Sequence, residues 1–474
     1  MHHNKKNQTL LQPAFFLTNS TSMATLRHSI LTLISILCLC FSPSSSSSSS
    51  QTTFKLSLTQ HIAVPSGEFE TNRHPLFRTL NYLVSSSLAR AHLLKNPNNS
   101  TSEVPLFPRG NGGYYSVPLS FGSPSQKLSF LMDTGSSLVW FPCTDRYTCY
   151  DCPSSSSSKI PVFMPKHSSS VKILGCNNTK CGWVPRTPET IQCNATKQVC
   201  SYEQVYGSGL TAGVLLSETL HFPEGDVTDF AVGCSILSAG LPEGILGFGR
   251  RPDSLPAQMG LKKFSYCLVS HQFDDNQTVS SELVLHRDSS SSGAGDGGMM
   301  ISYTKFLKNP SRFEGFYYLS LQKITIGGKD VNIPDRLLVP GSDGNGGTII
   351  DSGTTFTIMD YPIYDLVAKE FEVQMYKYKR INTTDKESPL CYTIGDKPPV
   401  FPELMFDFEG GAKLSLPMAD YFSQVEPGVA CMTILPIKLN SGPSIIIGNY
   451  QQQDIYVEYD LENGRFGFVK KKCN

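Results

Sequence analysis

The chain lacks both a net charge and a long apolar run. Its 474 residues include 40 basic and 40 acidic side chains, so the formal net charge at pH 7 is zero. A balanced chain has no strong field to attract nucleic acid or an acidic membrane. No apolar stretch approaches the roughly 20 residues that a transmembrane helix needs. The sequence therefore predicts no nucleic-acid partner and no stable membrane insertion of the mature protein.

Metal-ligand spacing is also missing. The 10 histidines show no spacing typical of a metal site, so no metal and no cofactor is predicted. Zinc is the alternative role for Cys149 and Cys152, which stand in a C-x-x-C pattern. Such a pair needs a partner pair or histidines at set spacings, and no histidine stands near it before His167.

Acidic residues are absent from the first part of the chain, up to Glu68. Arg27 and His28 precede the apolar stretch "ILTLISILCLCF", which small residues follow. This layout predicts a secretory signal over residues 1–41, with Met23 as an alternative start. Two alternatives are a plastid transit peptide, favoured by the many serines and few acids, and a buried helix. The predicted location is the secretory pathway, ending outside the cell, in the cell wall or in the vacuole.

Cysteine usage agrees with an oxidising compartment. Of 14 cysteines, Cys38 and Cys40 lie in the apolar stretch, and the even number that remains is typical of a disulfide framework. These candidates are Cys143, Cys149, Cys152, Cys176, Cys181, Cys193, Cys200, Cys234, Cys267, Cys391, Cys431 and Cys473. Candidate glycosylation sequons are Asn177, Asn194, Asn276 and Asn382.

The composition changes near residue 112. Residues 42–105 combine a serine-rich linker with a basic, helix-periodic stretch over 72–95, which predicts a detachable helical segment or an ordinary first helix. Beyond 112, short apolar or alternating runs separated by glycine and proline predict many strands. Within this part of the chain, the favoured helices are 359–375 and a shorter one near 254–260. A glycine- and serine-rich joint at 288–298 divides the predicted lobes, 112–300 and 301–474.

One sequence pattern occurs in both halves. "SFLMDTGSSLVWF" contains Asp133, and "GTIIDSGTTFT" contains Asp351. Each copy is an apolar strand, an Asp–hydroxyl–Gly loop and further hydroxyl residues, and each precedes an apolar–apolar–Gly stretch, "GILGFGR" or "IIIGNY". A single Asp–Ser/Thr–Gly is an ordinary turn. Two copies in the same order predict two related lobes whose aspartates meet.

Two carboxylates in one site have a specific chemistry. Because like charges a few Å apart resist joint ionisation, Asp133 and Asp351 would share a proton and titrate as a pair. One would deprotonate a water that attacks a carbonyl, while the other would protonate the developing oxyanion. The supporting residues fall into three pairs: Gly135 and Gly353 for tight turns, Ser136 and Thr354 as hydrogen-bond donors, and Thr134 and Ser352 as a tie between the loops.

These motifs resemble the two catalytic motifs of pepsin-like aspartic proteases. "YGSGLTAGVL" is similar to the flap hairpin of that family, and Trp140 stands where the family has a tryptophan. The resemblance implies that Tyr206 closes over substrate and that its hydroxyl meets the Trp140 indole. Tyr202 is the alternative flap tyrosine, but the permissive backbone of Gly207, Ser208 and Gly209 favours Tyr206.

The cysteine-rich insertion resembles the nepenthesin-type plant branch of the family. That resemblance implies a mostly β, bilobal fold with two β-barrel-like lobes around a cleft. It also implies a monomer, a peptide or protein substrate, and a propeptide over about 55–105 that covers the cleft until low pH frees it. The implied disulfides are Cys143–Cys149, Cys152–Cys234, Cys176–Cys200, Cys181–Cys193, Cys267–Cys473 and Cys391–Cys431.

Two functions from different classes follow from the same fold. The first is an aspartic endopeptidase that hydrolyses peptide bonds at acidic pH. The second is a catalytically inactive binding or inhibitor protein. Inactive relatives commonly alter one Asp motif or the flap, whereas this chain retains Asp133, Asp351 and Tyr206. The sequence therefore favours the enzyme.

Overall fold

The computed structural model describes residues 53–62, 75–95, 112–150, 152, 160–184, 198–207, 209–241, 243–270, 280–288, 300–381, 388–395, 399–438 and 441–473. Residues Gln51–Asn474 belong to one compact unit. Strands dominate its secondary structure, as the sequence predicts.

The strands of the first half are β1 (Thr53–Ile62), β2 (Gly112–Phe121), β3 (Gln126–Asp133), β4 (Trp140–Pro142), β5 (Thr148–Tyr150), β6 (Lys172–Ile173), β7 (Ser201–Tyr206), β8 (Gly209–His221), β9 (Val227–Ala239), β10 (Gly244–Gly247), β11 (Lys263–Cys267) and β12 (Ser280–His286). Those of the second half are β13 (Ser302–Lys305), β14 (Tyr318–Leu319), β15 (Leu321–Ile326), β16 (Lys329–Val331), β17 (Thr348–Ile350), β18 (Thr357–Asp360), β19 (Lys379–Ile381), β20 (Cys391–Thr393), β21 (Leu404–Phe408), β22 (Lys413–Ser415), β23 (Phe422–Glu426), β24 (Val429–Met432), β25 (Ile434–Ile437), β26 (Ile445–Ile447), β27 (Ile455–Asp460) and β28 (Arg465–Lys470).

The α-helices are α1 (Pro75–Lys95), α2 (Leu255–Met259), α3 (Asp335–Leu338), α4 (Tyr361–Gln374) and α5 (Met418–Tyr421). Short 3₁₀ helices occur at Pro165–His167, Thr179–Gly182, Ser311–Phe313, Glu409–Gly411 and Asn449–Gln452. The helices predicted near 72–95, 254–260 and 359–375 are confirmed as α1, α2 and α4. Local signals explain the bounds of α2: the Ser254 hydroxyl accepts from the Ala257 N–H, and Gly260 ends the helix in the left-handed region at φ 62°.

A 15-stranded sheet forms the body of the protein. Its path runs β13-β28-β27-β11-β12-β1-β2-β3-β10-β4-β9-β8-β6, with β5 attached to β9 and β7 to β8. Since β13, β27 and β28 come from the second half, both halves share this sheet. The smaller sheets run β14-β17-β26-β18-β25, β16-β15-β21-β22 and β19-β20-β24-β23.

The same strand arrangement lies behind both Asp loops. In the first half β3 pairs in parallel with β10, which pairs antiparallel with β4, which pairs in parallel with β9. In the second half β17, β26, β18 and β25 repeat these three relationships in the same order. Strands β10 and β26 are buried at every position, as expected of continuous apolar runs between neighbours. The bilobal, pepsin-like repeat predicted from the sequence is therefore confirmed in the backbone.

The described parts of the segment before residue 112, β1 and α1, are built into this fold. Strand β1 pairs with both β12 and β2, and its Phe54 and Leu58 lie in the main core. Helix α1 places Leu80, Leu83 and Leu94 in a second apolar cluster shared with the second half. Full burial of each such side chain contributes about 1.5–3 kcal/mol.

Two disulfides outside the cysteine-rich insertion agree with the implied pairing. Cys267 pairs with Cys473 and Cys391 pairs with Cys431. Strands β20 and β24 place Cys391 directly opposite Cys431. The first pair connects β11 to the end of the chain.

The pairing implied for the cysteine-rich insertion is wrong. The register of β4 against β9 sets Phe141 beside Cys234, which brings Cys143 within bonding reach of Cys234, with a Cα–Cα distance of 5.1 Å. Cys176 is also disulfide-bonded, but Cys193 lies outside the described residues. The pairs formed in this region are Cys143–Cys234, Cys149–Cys152 and Cys181–Cys200.

Candidate active site

The two Asp loops meet at the centre of the molecule. Asp133 is the last residue of β3 and Asp351 directly follows β17, and neither side chain is exposed to solvent. The apolar strands before them carry both carboxylates into the core, where ionisation is costly unless hydrogen-bond donors surround the charge.

Donors from its own loop surround Asp133. The Gly135 N–H donates to Oδ1 at 2.9 Å, and the Ser136 hydroxyl donates to Oδ2 at 2.6 Å. These are the contacts predicted for Gly135 and Ser136 from the sequence.

Asp351 has the equivalent donors. The Gly353 N–H donates to Oδ1 at 2.9 Å, and the Thr354 hydroxyl donates to Oδ2 at 2.6 Å. The two loops therefore present their carboxylates in matching environments, related by the internal repeat.

A reciprocal pair of hydrogen bonds connects the loops. The Thr134 N–H donates to the Ser352 hydroxyl oxygen at 3.0 Å, and the Ser352 N–H donates to the Thr134 hydroxyl oxygen at 2.9 Å. The Ser352 hydroxyl in turn donates to the Met132 carbonyl at 3.0 Å. This arrangement holds the two carboxylates in register across the boundary between the lobes.

Glycine is required where the loops approach each other. A Cβ on Gly135 would lie 2.6 Å from the Asp351 carboxyl carbon, and a Cβ on Gly353 would lie 2.4 Å from Asp133 Oδ1. Any side chain at either position would displace a carboxylate. The second residue after each aspartate must therefore remain glycine for the two carboxylates to share one site.

The guanidinium of Arg90, from helix α1, lies between the carboxylates. Its Nη2 is 2.6 Å from Asp133 Oδ1, and its Nε is 3.2 Å from Asp351 Oδ2. Arg90 is 7% exposed, so both ion pairs are shielded from water. One cation thus spans both aspartates, which shows how close together they lie.

The two carboxyl groups differ in acidity. Burial raises the pKa of Asp133 to about 6, although Arg90 opposes the shift. Burial also disfavours ionisation of Asp351, but Arg90, the Thr354 hydroxyl and the Gly353 N–H outweigh it and lower its pKa below the ordinary value. Asp351 is therefore the member of the pair that ionises first.

The predicted flap lies over this centre. Strands β7 and β8 form a hairpin that ends at Tyr206, whose hydroxyl accepts a hydrogen bond from the Trp140 indole N–H at 3.1 Å. A Cβ on Gly207 would lie 2.2 Å from the Arg90 Cα, so the flap rests on the backbone of α1. A Cβ on Gly209 would overlap the Ala239 carbonyl oxygen. Ser208 lies outside the described residues.

Helix α1 leaves little of the cleft open. A cavity of about 200 Å³ remains beside Arg90, between the flap strand at Gln204 and the second-lobe residues near Phe313. Leu93 and Leu94 of α1 form part of its wall. An extended peptide of several residues could lie across the aspartates only after α1 moved away.

Comparisons with known proteins agree with this geometry. Residues 115–285 match the family described as Xylanase inhibitor N-terminal, and residues 316–470 match Xylanase inhibitor C-terminal. Aspartic proteinase nepenthesin-2 of Nepenthes gracilis is 33% identical over 386 residues, 79% of this chain and 81% of that protein. Aspartyl protease family protein 2 of Arabidopsis thaliana is 32% identical over 384 residues, 79% of this chain and 74% of that protein.

The chain belongs to the nepenthesin-type branch of the pepsin-like aspartic protease family. Solved structures with this fold include conglutin gamma from lupine seeds, with a TM-score of 0.60 and 17% identity over 89% of this chain and 95% of that one. Basic 7S globulin from soybean gives a TM-score of 0.58 at 17% identity, over 89% and 97% of the two chains. At 17% identity, these two solved structures confirm the fold of this chain and nothing more.

Two residues of the site are missing from the sequence-based prediction. Arg90 gave one weak signal, a cation between Ala89 and Ala91 on a helix rich in serine and leucine. Asn449 follows the second apolar–apolar–Gly stretch, and only its hydrogen bonds connect it to the aspartates. Neither role is visible without the tertiary contacts.

Of the predicted glycosylation sites, the structure describes Asn177. Asn177 is exposed in a turn of the insertion, where a glycan would have room. Asn194, Asn276 and Asn382 lie outside the described residues. In the described part of the chain, no helix combines the length and apolar character needed to cross a bilayer.

Proposed function

We propose that this protein is an aspartic endopeptidase, made as an inactive precursor, that hydrolyses peptide bonds at acidic pH. The observation that carries the proposal is the single Arg90 guanidinium paired with both Asp133 and Asp351. A cation held by two carboxylates marks the position where a water could contact both of them.

Their different acidities support different roles. In the precursor Asp351 has the lower pKa, and its Thr354 and Gly353 donors remain when Arg90 leaves with α1. Asp351 is therefore assigned as the base that takes a proton from the attacking water. Asp133, protonated at acidic pH, donates to the carbonyl oxygen of the scissile bond. As the tetrahedral intermediate collapses and the C–N bond breaks, Asp351 gives the proton it took from the water to the leaving amine, and a hydroxyl of the intermediate returns a proton to Asp133. The donors on the outer carboxylate oxygens keep both groups oriented through these transfers.

Helix α1 is the inhibitory part of the proposed precursor. It occupies the cleft, its Arg90 neutralises the aspartates, and the flap rests on its backbone at Gly207. Displacement of α1 exposes the aspartates, the flap and the cleft together. The predicted propeptide over about 55–105 includes this helix and strand β1.

The proposed route is the secretory pathway, towards the cell wall, the extracellular space or the vacuole, with the plastid as the less favoured alternative. Disulfides such as Cys267–Cys473 support an oxidising compartment. A predicted signal over 1–41, the sequon at exposed Asn177 and a monomeric state complete the proposal.

The test compares acid-activated wild type with the Asp133→Asn and Asp351→Asn variants on a peptide library between pH 2.5 and 7. Each variant is expected to lose at least ~10²-fold in kcat/KM, because each removes one proton-transfer partner. Asp145→Asn is the matched control, since Asp145 sits in an exposed ion pair with Lys166, 65% and 61% exposed. Full activity in either active-site variant would contradict the roles assigned here.

An inactive binding or inhibitor protein is the second candidate, supported by the descriptions of the two matching families. It predicts no cleavage at any pH, even after α1 has been removed, together with inhibition of a xylanase. The same peptide-library experiment, run alongside a xylanase assay, separates the two candidates.

A further inference from the structure

Asn449 is buried beside the second Asp loop. It is the first residue of the 3₁₀ helix after β26 and has no solvent exposure. Its Nδ2 donates to the Ser352 carbonyl at 2.9 Å and to the Gly113 carbonyl at 2.8 Å. Both neighbours are carbonyl oxygens, so the amide must present its nitrogen to them. Within the described residues its Oδ1 has no hydrogen-bond partner.

The Ser352 carbonyl belongs to a peptide unit that also contacts Asp351, one of the two aspartates of the Asp133–Asp351 dyad. The other end of that unit is the Gly353 N–H, which donates to Asp351 Oδ1 at 2.9 Å. A peptide unit is planar, so a hydrogen bond that holds its C=O also sets the direction of its N–H. Asn449 therefore acts on Asp351 through one rigid group.

In the first half, the position equivalent to Asn449 is occupied by an apolar side chain. The residue after Gly247 is Phe248, whereas the residue after Gly448 is Asn449. Phe248 packs its ring against Phe264, and only its backbone N–H reaches the first loop, where it donates to the Asp133 carbonyl at 2.7 Å. The repeat is therefore asymmetric at this position.

We infer that Asn449 is a positioning residue for the dyad: by holding the Ser352 carbonyl, it directs the Gly353 N–H at Asp351 and favours that carboxyl as the ionised member. This inference rests on the proposed function and assigns a role to a residue outside the Asp motifs and the flap.

The direction of the effect follows from the groups around Asp351. The charged groups that face it are Asp133 and Arg90; the phenols of Tyr266 and Tyr459 also lie close, and burial raises their pKa values so that they stay neutral. A hydrogen bond to the ionised form of a carboxyl lowers its pKa. Misdirecting the Gly353 N–H would raise the pKa of Asp351, so catalysis would begin at higher pH.

The experiment measures pH profiles of kcat and KM for acid-activated wild type, Asn449→Leu and Asn449→Asp. For Asn449→Leu the acidic limb of kcat should move up by roughly one pH unit, and kcat below that limb should fall about tenfold. KM should change less than about twofold, because Asn449 lies behind the loop and not in the cleft. Asn449→Asp should give a smaller shift, since its protonated carboxyl can still donate one hydrogen bond.

Thr355→Val is the matched control. The Thr355 hydroxyl donates to the same Gly113 carbonyl at 3.2 Å but is not bonded to Ser352. A purely structural role for Asn449 would lower stability in Thr355→Val and the Asn449 variants alike and leave every pH profile in place. That result, or a change in KM alone, would overturn the inference.

A readout without catalysis keeps the inference separate from the proposed function. In the full-length precursor, the pH at which α1 loses amide protection from hydrogen exchange should rise in Asn449→Leu, since Arg90 pairs with ionised Asp351. Wild type that fails to cleave peptides would contradict the proposed function alone. An unchanged release pH in Asn449→Leu would contradict the positioning role alone.

Discussion

At the scale of single residues, Arg90 explains how the candidate site is kept closed. Removing one partner of a buried ion pair costs about 3–5 kcal/mol, because the other charge remains buried without compensation. Here two carboxylates depend on one guanidinium. The closed state therefore depends on this residue more than on any exposed charge of helix α1.

Its pH dependence follows from the two shifted pKa values. The pKa of Asp351 lies below its ordinary value of 3.8. Above pH 3.8 the ionised carboxylate pairs with Arg90 and stabilises the closed state, in which α1 lies in the cleft. This stabilisation is lost as the pH falls through the lowered pKa. Arg90 also lowers the pKa of Asp133, so docking of α1 favours the ionised form of both carboxyl groups. The pair of Asp133 with Arg90 weakens first, as the pH falls through about 6. The pair with Asp351 persists to lower pH, so release on acidification is expected below 3.8, through Asp351.

Arg90→Gln tests this account. The variant precursor should expose α1 to hydrogen exchange and cleave peptides at pH 5, where the wild-type precursor stays closed. Arg78→Gln is the control, because Arg78 is an exposed cation on the same helix and should change neither property. Equal protection of α1 in wild type and Arg90→Gln at pH 5 would mean that apolar contacts alone hold the helix.

At the scale of elements, helix α1 is anchored at several separate points. The Ser87 hydroxyl oxygen accepts a hydrogen bond from the Phe356 N–H at 3.0 Å, and Arg90 contacts the dyad one turn later. At the end of the helix, Lys95 Nζ lies 2.7 Å from Asp360 Oδ1, with side chains 1% and 5% exposed. Nζ also donates to the Pro443 carbonyl. Every one of these anchors except Asp133 belongs to the second half of the chain.

The buried Lys95–Asp360 ion pair is a second, independent interaction that holds α1 in the cleft. Burial lowers the pKa of Lys95 and raises that of Asp360, so desolvation offsets part of their attraction. In Lys95→Met the carboxylate of Asp360 would remain buried without a cation while α1 is docked. We expect faster activation and weaker amide protection over the last turn of α1, with kcat/KM of the activated enzyme unchanged.

Lys55→Met is the matched control for this change. Lys55 lies on β1, in the same predicted propeptide, and its partner Glu282 is as exposed as Lys55 itself, at 62%. Exposed pairs contribute about 0–1 kcal/mol, so activation should be unaffected. If both methionine variants activate at the same rate as wild type, the buried Lys95–Asp360 pair does not hold α1 in the cleft.

At the scale of the whole molecule, the described residues include a sheet and a disulfide that join the two halves, in addition to the hydrogen bonds between the Asp loops. Strand β11 of the first half pairs with β27 of the second, and Cys267 at the end of β11 is bonded to Cys473. This bond closes a loop with a sequence separation of 206 residues. Long loops lose the most conformational entropy on closure, so this bond should stabilise the fold more than short-range disulfides do.

Replacing Cys267 and Cys473 together by serine should lower the free energy of unfolding by about 2–5 kcal/mol. Urea denaturation followed by fluorescence would measure the change. Removal of the Cys149–Cys152 bond, with a sequence separation of 3, is the comparison and should cost much less. Equal losses from the two changes would exclude loop closure as the main source of the stabilisation.

The fold and the pair of aspartates could be predicted from local sequence patterns and from the internal repeat. Asp133 and Asp351 stand in two copies of one motif, and each copy directs its aspartate to the end of a buried strand. Helices α1, α2 and α4 were visible from periodicity and caps, because those signals lie within a few residues of one another. Each of these features depends on residues that are close together in the chain, so the sequence is enough to predict it.

Long-range geometry decided the rest. The disulfides of the insertion depend on the register of β4 against β9, which no spacing of cysteines specifies. Arg90 and Asn449 act on the aspartates only because helix α1 and the segment after β26 converge on the two loops. Which of two similar aspartates ionises first is set by donors and charges from distant parts of the chain, and only the tertiary structure brings those together.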